Sequence, residues 1–374
     1  MARKSVGIII NPIAGLGGKV GLKGTDGPDI VERAIALGGK PESPLRAGKA
    51  LEQLLEIKDE IDILTYGGEM GETVLSSLGF DVTLAGRPKS SDTTAEDTIN
   101  AALAMKEACV DLIVFAGGDG TARNICESIG LLPPVIGIPA GVKIHSAVFA
   151  INPRNAGLAA KEFLTGKNRG LRESEVMDID EESFRQGIVN ARLYGYMMTP
   201  DSRSRIQNMK SGGSSDAGDL AGMAGYIVVN MEPGTLYIIG PGSTTRSIMD
   251  DLGLPCTLLG VDVVQNKRAV ASDVTEGQLW ELLKDPAVSA KIVVTVIGGQ
   301  GYLFGRGNQQ LSPRIIRRVG LKNIIVAATA SKMIALSGQP LLVDTGDPAL
   351  DEDLSGFIEV VIAFGQTSFY TVSS

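Results

Sequence analysis

Apolar residues occur along this chain in short runs. The runs alternate with longer stretches in which apolar positions recur every three or four residues. Val6–Ile10, Ile61–Thr65, Phe80–Leu84, Leu112–Ala116 and Val135–Ile138 are the short runs of the first part. Their brevity and flanking polar or glycine residues predict strands covered on both faces. Asp29–Leu37, Ala47–Ile57, Glu69–Leu78 and Thr93–Ala108 carry the helical period between them. Thr93-Thr-Ala-Glu96 has the form of a capping box at the start of the last. Strands alternating with helices predict a parallel-sheet α/β domain over 1–170.

The pattern changes at 171. Ser174–Ile179, Gly187–Tyr196, Gly225–Val229, Leu236–Ile239, Thr257–Val263, Arg268–Ala271 and Ile292–Val296 all read as strands, with Lys210–Gly218 as a flexible loop. A β-rich domain over 171–310 is expected. From 311 the alternation returns. Pro313–Val319 and Ser331–Leu336 read as helices, and Asn323–Val326, Leu341–Val343 and Phe357–Ala363 as strands. The segment 311–374 is expected to pack back on the first domain. No internal repeat of fixed period is present.

Composition narrows the class. At 374 residues the chain exceeds one ordinary core, which agrees with two domains. A net charge of −8 without a Lys/Arg run argues against nucleic acid or an anionic membrane as partner. Aromatic residues, at 5%, offer no stacking platform for bases, and Trp280 reads as core. The three cysteines form no C-x-x-C pair, so zinc and a disulfide framework are disfavoured and a reducing compartment is expected. The first apolar run is too short for a secretion signal, and no run has the length of a membrane span. A cytoplasmic protein is expected.

Chemistry concentrates in four glycine-rich sites: Asn11-Pro-Ile-Ala-Gly-Leu-Gly-Gly18, Gly117-Gly-Asp-Gly-Thr121, Gly240-Pro-Gly-Ser-Thr-Thr-Arg246 and Gly298-Gly-Gln-Gly301, the last followed by Gly305-Arg-Gly-Asn308. A strand that breaks into glycines before a helix presents backbone N–H groups to phosphate. Any one of these loops also reads as a plain turn, a helix cap or a hairpin. The first lacks a P-loop ending and does not have the dinucleotide-binding spacing. Asp119 sets the second apart, because a carboxylate repels phosphate and needs another role.

Gly117–Thr121 after a strand resembles the hallmark of the NAD kinase and diacylglycerol kinase superfamily. Asn11–Gly18 is similar to that superfamily's Asn-Pro-x-x-Gly-x-Gly nucleotide loop. Leu236–Thr245 is similar to the NAD kinase segment in which a strand runs into Pro-Thr-Gly-Ser-Thr-Ala. Gly137-Ile-Pro-Ala-Gly-Val-Lys-Ile-His-Ser-Ala-Val148 and Gly298–Gln310 look like the predicted ATP-NAD kinases related to acetoin catabolism protein X. The resemblance covers most of the chain. It implies a Rossmann-like domain followed by a β-sandwich-like domain, with a homo-oligomer expected.

The resemblance also implies roles. Asp119 would orient and deprotonate the acceptor hydroxyl. Asn11, Gly15, Gly17, Gly18, Gly117, Gly118, Gly120, Thr121, Gly242, Ser243, Thr244 and Thr245 would hold nucleotides. Mg²⁺ would arrive with ATP, bound largely by phosphate and water, and no protein metal site is expected. NAD would be the acceptor, with polyphosphate as an alternative donor. The Asn-acid pair that NAD kinases carry in the β domain has no clear counterpart. Asn230-Met-Glu232 lies too close to the third loop, and Asn190 lacks a neighbouring acid. This leaves open a kinase of another hydroxyl-bearing metabolite, or a nucleotide-binding regulator without turnover.

The remaining candidates each have a plain alternative. His145, the single histidine, lies past a strand end and reads as a substrate contact or as structural. Lys143 reads as a phosphate partner or a solvated cation. Arg123, Asn124, Arg306 and Asn308 read as ligand contacts or as surface residues. Val343-Asp-Thr-Gly-Asp347 reads as a helix start sooner than as a metal site.

Overall fold

The short apolar runs of the first part pair as their alternation predicts. In the computed structural model, which describes residues 3–22, 28–90, 92–141, 144–179, 191–202, 205–206, 217–297, 300–336 and 338–374, the first five strands are β1 (Lys4–Ile10), β2 (Ile61–Tyr66), β3 (Thr83–Gly86), β4 (Leu112–Gly117) and β5 (Val135–Pro139). They form one sheet in the order β3-β2-β1-β4-β5, parallel throughout. Successive side chains serve opposite faces. Ile8 and Ile10 pack with Leu112, Val114 and Ile136. Ile9 packs on the other side with Ile113, Phe115 and Val135.

Six helices accompany this sheet: α1 (Pro28–Ala36), α2 (Ser43–Leu51), α3 (Glu72–Ser77), α4 (Ala95–Glu107), α5 (Asp119–Ile129) and α6 (Pro153–Leu164). The cores show which face each one covers. Residues of α2 and α6 (Ala47, Leu51, Ala156, Ala160) belong to the Ile8 side, and those of α4 and α5 (Met105, Ala122, Ile125) to the Ile9 side. The helix expected over Ala47–Ile57 starts earlier and tightens into a 3₁₀ turn from Glu52 to Ile57. The capping box lies one residue later than expected. Asp97 Oδ2 accepts from the N–H (2.8 Å) and hydroxyl (3.0 Å) of Thr94.

The first compact unit comprises Met1–Leu16 and Gly24–Met209, so the boundary expected at 170 is corrected. The cause is an antiparallel hairpin, β6 (Leu171–Ile179) and β7 (Ala191–Pro200). Its Val176 and Met197 are buried with Ile125 and Phe149. The N–H of Ala147 donates to Glu175 O at 2.8 Å. The strand expected over Gly187–Tyr196 is described from Ala191 onward, as β7, and extends to Pro200; residues 187–190 lie outside the described ones.

The second unit comprises Gly17–Lys23 and Lys210–Ser374. It is strand-rich. Its strands are β8 (Leu236–Ile239), β9 (Asp262–Gln265), β10 (Arg268–Ala271), β11 (Ala290–Thr295), β12 (Tyr302–Phe304), β13 (Ile324–Ala327), β14 (Leu341–Val343), β15 (Gly356–Ala363) and β16 (Gln366–Ser373). They form one nine-stranded mixed sheet, β10-β9-β8-β11-β13-β15-β16-β14-β12. The expected return of 311–374 to the first domain is thereby corrected, because β13 to β16 hydrogen-bond into this sheet. Its helices are α7 (Ala217–Val229), α8 (Ser243–Asp251), α9 (Glu276–Leu283), α10 (Pro313–Val319), α11 (Ala330–Ala335) and α12 (Pro348–Leu354). Gly225–Val229, expected as a strand, is the apolar end of α7; a short apolar run does not reveal its own period. Only the end of Thr257–Val263 is strand. Asp262 ties the loop before β9 to the chain after β10, accepting from the N–H groups of Thr257 (2.7 Å) and Asp273 (2.9 Å). Asp347 caps α12, accepting from the N–H of Ala349 and Leu350 at 3.1 Å each.

The cysteines differ in setting. Cys109 is exposed, Cys126 buried and Cys256 half-buried. Burial, with Glu127 adding, raises the Cys126 thiol, and burial with Asp262 pushes Cys256 up to about 11. Thiolate is the reactive form. A disulfide reagent at pH 8 should therefore modify Cys109 quickly, and the other two at the rate seen only after adding denaturant. Two rapid equivalents in the native protein would contradict these environments. Among the described residues no helix is long and apolar enough to cross a membrane.

Candidate functional site

In the first unit the strand order reverses between β1 and β4. The chain after β1 reaches α2 on the Ile8 side, and the chain after β4 reaches α5 on the Ile9 side. Such a switch point, at the carboxyl ends of the strands, is where open α/β sheets take ligands. The start of the first glycine loop meets the second there. The N–H of Asn11 donates to Ala116 O at 2.9 Å, and Asn11 Nδ2 donates to Thr121 Oγ1 at 3.0 Å. The loop after β5 joins them, with the N–H groups of Ala140 and Gly141 donating to Gly117 O at 2.9 and 3.0 Å. Gly15 has φ +85°, and a Cβ there would lie 2.5 Å from Ala140 O, so the turn requires glycine.

Asp119 opens α5, where the helix dipole favours a negative charge. Gly118 precedes it with φ −117° and ψ −167°, an extended backbone open to any residue. Gly120 and Thr121 complete the first turn. The side chain of Asp119 is 12% exposed and that of His145 is 6% exposed. Asp119 Oδ1 accepts from the N–H (3.0 Å) and hydroxyl (2.6 Å) of Ser146. Its Oδ2 accepts from the N–H of His145 at 2.8 Å and lies 3.2 Å from His145 Nδ1. Serine, histidine and aspartate meet here with the carboxylate in the middle, so this is not an activated-serine arrangement.

Within the second unit, Gly240–Thr245 leads from β8 into α8. Gly242 has φ +133°, and a Cβ there would lie 2.7 Å from Thr295 Cγ2. Ser243 is exposed, whereas Thr244 and Thr245 are buried. The Thr245 hydroxyl donates to Gly242 O at 3.0 Å. Lys332 Nζ donates to Thr244 Oγ1 at 2.6 Å and to Thr295 Oγ1 at 3.5 Å. Strands β8, β11 and β13 are parallel neighbours, so their carboxyl ends bring this loop, Thr295 and α11 together.

The other predicted residues separate. Gly17 and Gly18 fall in the second unit, Gly18 beside Gln309. Arg123 and Asn124 are half-buried on α5, with Asn124 O accepting from the Ser128 hydroxyl at 2.7 Å. Lys143 lies outside the described residues, as does Asn190. Arg306 is buried with its guanidinium 4.7 Å from the Tyr302 ring centroid. Asn308 closes its own turn, donating to Leu303 O at 2.8 Å and accepting from the Gly305 N–H at 3.1 Å. Asn230 Nδ2 donates to Tyr226 O at 2.8 Å, and Glu232 pairs with Lys291 at 2.6 Å. Sequence reasoning did not single out Ser146, Thr295 or Lys332. Lys332 is an ordinary lysine on a short helix, and only the order of the parallel strands places it beside Thr244. Among the described residues no group of three or more His, Cys, Asp or Glu is placed to hold a metal ion.

Family models match both halves of the chain: the ATP-NAD kinase N-terminal domain over residues 6–168 and the ATP-NAD kinase C-terminal domain over residues 234–373. A search of curated proteins found no match. A solved structure of a diacylglycerol kinase-like protein from Bacillus anthracis str. Sterne aligns at 17% identity over 48% of this chain, with a TM-score of 0.25. The alignment covers 47% of that protein, so this chain spans about half of its length.

Proposed function

The chain belongs to the ATP-NAD kinase family, and from there we propose that it transfers the terminal phosphoryl group of Mg-ATP to the 2′-hydroxyl of NAD, giving NADP. The observation that carries the reading is the place of Asp119, beside the switch point and joined through its own helical turn to Asn11. In phosphoryl transfer the enzyme chiefly positions groups and offsets charge, because the transition state is loose. The acceptor O–P bond forms while the bond from phosphorus to the leaving oxygen breaks. That electron pair goes to ADP and the hydroxyl proton goes to Asp119. The magnesium ion enters as part of the nucleotide substrate. Backbone N–H groups at the start of α5 supply donors for phosphate oxygens. In the second unit, Ser243 and Lys332 supply a hydroxyl and a cation at the third loop.

A second acceptor is favoured by one observation. Asn230 and Glu232, the nearest counterpart of the expected Asn-acid pair, are engaged with Tyr226 and Lys291. Purified protein with labelled Mg-ATP, and separately with labelled polyphosphate, should be offered NAD, NADH, nucleosides and other hydroxyl cofactors. Label in NAD alone supports the NAD reading. Label in another acceptor and none in NAD replaces it with a kinase of that acceptor. The same reading expects a cytoplasmic homo-oligomer, which native mass and fractionation of the source cell would test.

A further inference from the structure

The carboxylate of Asp119 has four close polar contacts, three of them donors and the fourth the Nδ1 of His145, which donates when it carries a proton. A carboxylate offers about four lone-pair positions. A hydroxyl that is to hand its proton to Asp119 must therefore replace one of them. Two are backbone N–H groups of residues 145 and 146. They are fixed by the path of the chain, which is pinned at Ala147 to Glu175 O (2.8 Å) and at Ala150 to Gly137 O (2.9 Å). The third is the Ser146 hydroxyl. It is fully buried and accepts from the N–H of Met177 at 3.0 Å, so it is held on both sides. The fourth is the His145 ring. Its 3.2 Å contact is the longest of the set, and it is made by a side chain and not by the backbone.

We propose that the His145 imidazole is a displaceable cap on Asp119, and that the place its Nδ1 fills is the acceptor-hydroxyl subsite. This rests on the kinase reading of Asp119. A carboxylate that only accepts requires a proton on Nδ1 of the ring in the capped state. Acceptor binding exchanges one donor for another, ring N–H for substrate O–H, and the buried carboxylate keeps its partners throughout. Without acceptor, the cap spares the carboxylate an unsatisfied buried lone pair. The ring forms and breaks no covalent bond. It competes with the acceptor, and the subsite admits a single hydroxyl in the space of one ring nitrogen.

His145 is the only histidine, so the chain gives one imidazole signal. With ¹⁵N-histidine labelling, the ligand-free protein should show the Nδ1–H tautomer, and saturating NAD with a non-hydrolysable Mg-ATP analogue should release it. Steady-state kinetics supply the second arm. The cap is a hydrogen bond to a charged group, so His145→Ala should lower KM for NAD by about tenfold and raise kcat/KM by the same factor. His145→Asn restores a donor at the reach of Nδ1 and should bring KM back up. A fall in kcat/KM for His145→Ala overturns the proposal, because the ring then assists the reaction. So does NADP formation by a wild type whose ring signal ignores NAD. If the wild type makes no NADP, the NAD reading fails by itself. The ligand-free spectrum then decides the cap, an Nε2–H ring rejecting it and an Nδ1–H ring sustaining it.

Discussion

Asp119→Asn should remove phosphoryl transfer by a factor of about 10² to 10⁴, the range for loss of a positioned general base. Asparagine keeps the size of the side chain but cannot take the hydroxyl proton. It also inverts one side of the hydrogen-bond set. Its single oxygen can still accept from the N–H and hydroxyl of Ser146. Its amide nitrogen then faces the His145 N–H, donor against donor, where Oδ2 of the native residue accepts at 2.8 Å. Leaving that buried N–H unpaired should cost about 1–3 kcal/mol of stability. The control that separates fold from chemistry is Ser146→Ala. It strips one donor from the same carboxylate and frees the Met177 N–H, so its loss of stability should be similar. Its activity should fall far less, because Asp119 remains to accept the proton. Urea unfolding and kcat at saturating substrates would be compared for the two variants. Equal activity losses at equal stability would mean that Asp119 acts through the fold and not as a base.

Legibility in the sequence followed the range of each interaction. The parallel sheet of the first unit was readable because its strands are short, apolar and bracketed by helices in chain order, so local pattern and final sheet agree; the β6–β7 hairpin, which no helix brackets, was assigned to the wrong domain. The pairing of Asp119 with His145 was half readable. Both follow strands of one parallel sheet, β4 and β5, so both loops open at the same end. Ser146 was not readable, because a serine declares no partner until the path of its loop is known. The capping box slipped by one residue for a local reason. Thr93 with Glu96 and Thr94 with Asp97 share one spacing, and only the folded helix start, where Asp97 bonds Thr94, separates them. The tail failed for a non-local reason. Strands β13 to β16 look like a return to the first pattern, yet β13 pairs with β11 and β14 with β16. Helix α7 failed because Gly225–Val229 is shorter than the stretch needed to tell a helical period from a strand.

The glycines of the second loop are expected to hold nucleotide phosphate, and Gly117→Ala should show that this one serves packing instead. A Cβ at 117 would lie 2.4 Å from Thr121 Oγ1, 2.5 Å from its Cβ and 2.8 Å from its Cγ2. Thr121 cannot easily yield. It is buried in the first turn of α5 and holds the Asn11 side chain at 3.0 Å. The start of the helix must move off the strand end, at a cost of about 1–3 kcal/mol for an overpacked site. Asp119 lies in the same turn and moves with it. A misplacement near 1 Å costs roughly 10²-fold in rate, so Gly117→Ala should lose activity although it touches no reacting atom. The partner variant is Thr121→Gly, which removes the obstructing atoms, gives up the Asn11 bond and costs about 1 kcal/mol for glycine within a helix. In the double variant the clash is gone. It should be more stable and more active than Gly117→Ala alone, with a coupling of roughly 1 kcal/mol or more, as expected for residues in contact. Additive losses in both measurements would mean that Gly117 is small for the sake of the ligand and not for Thr121.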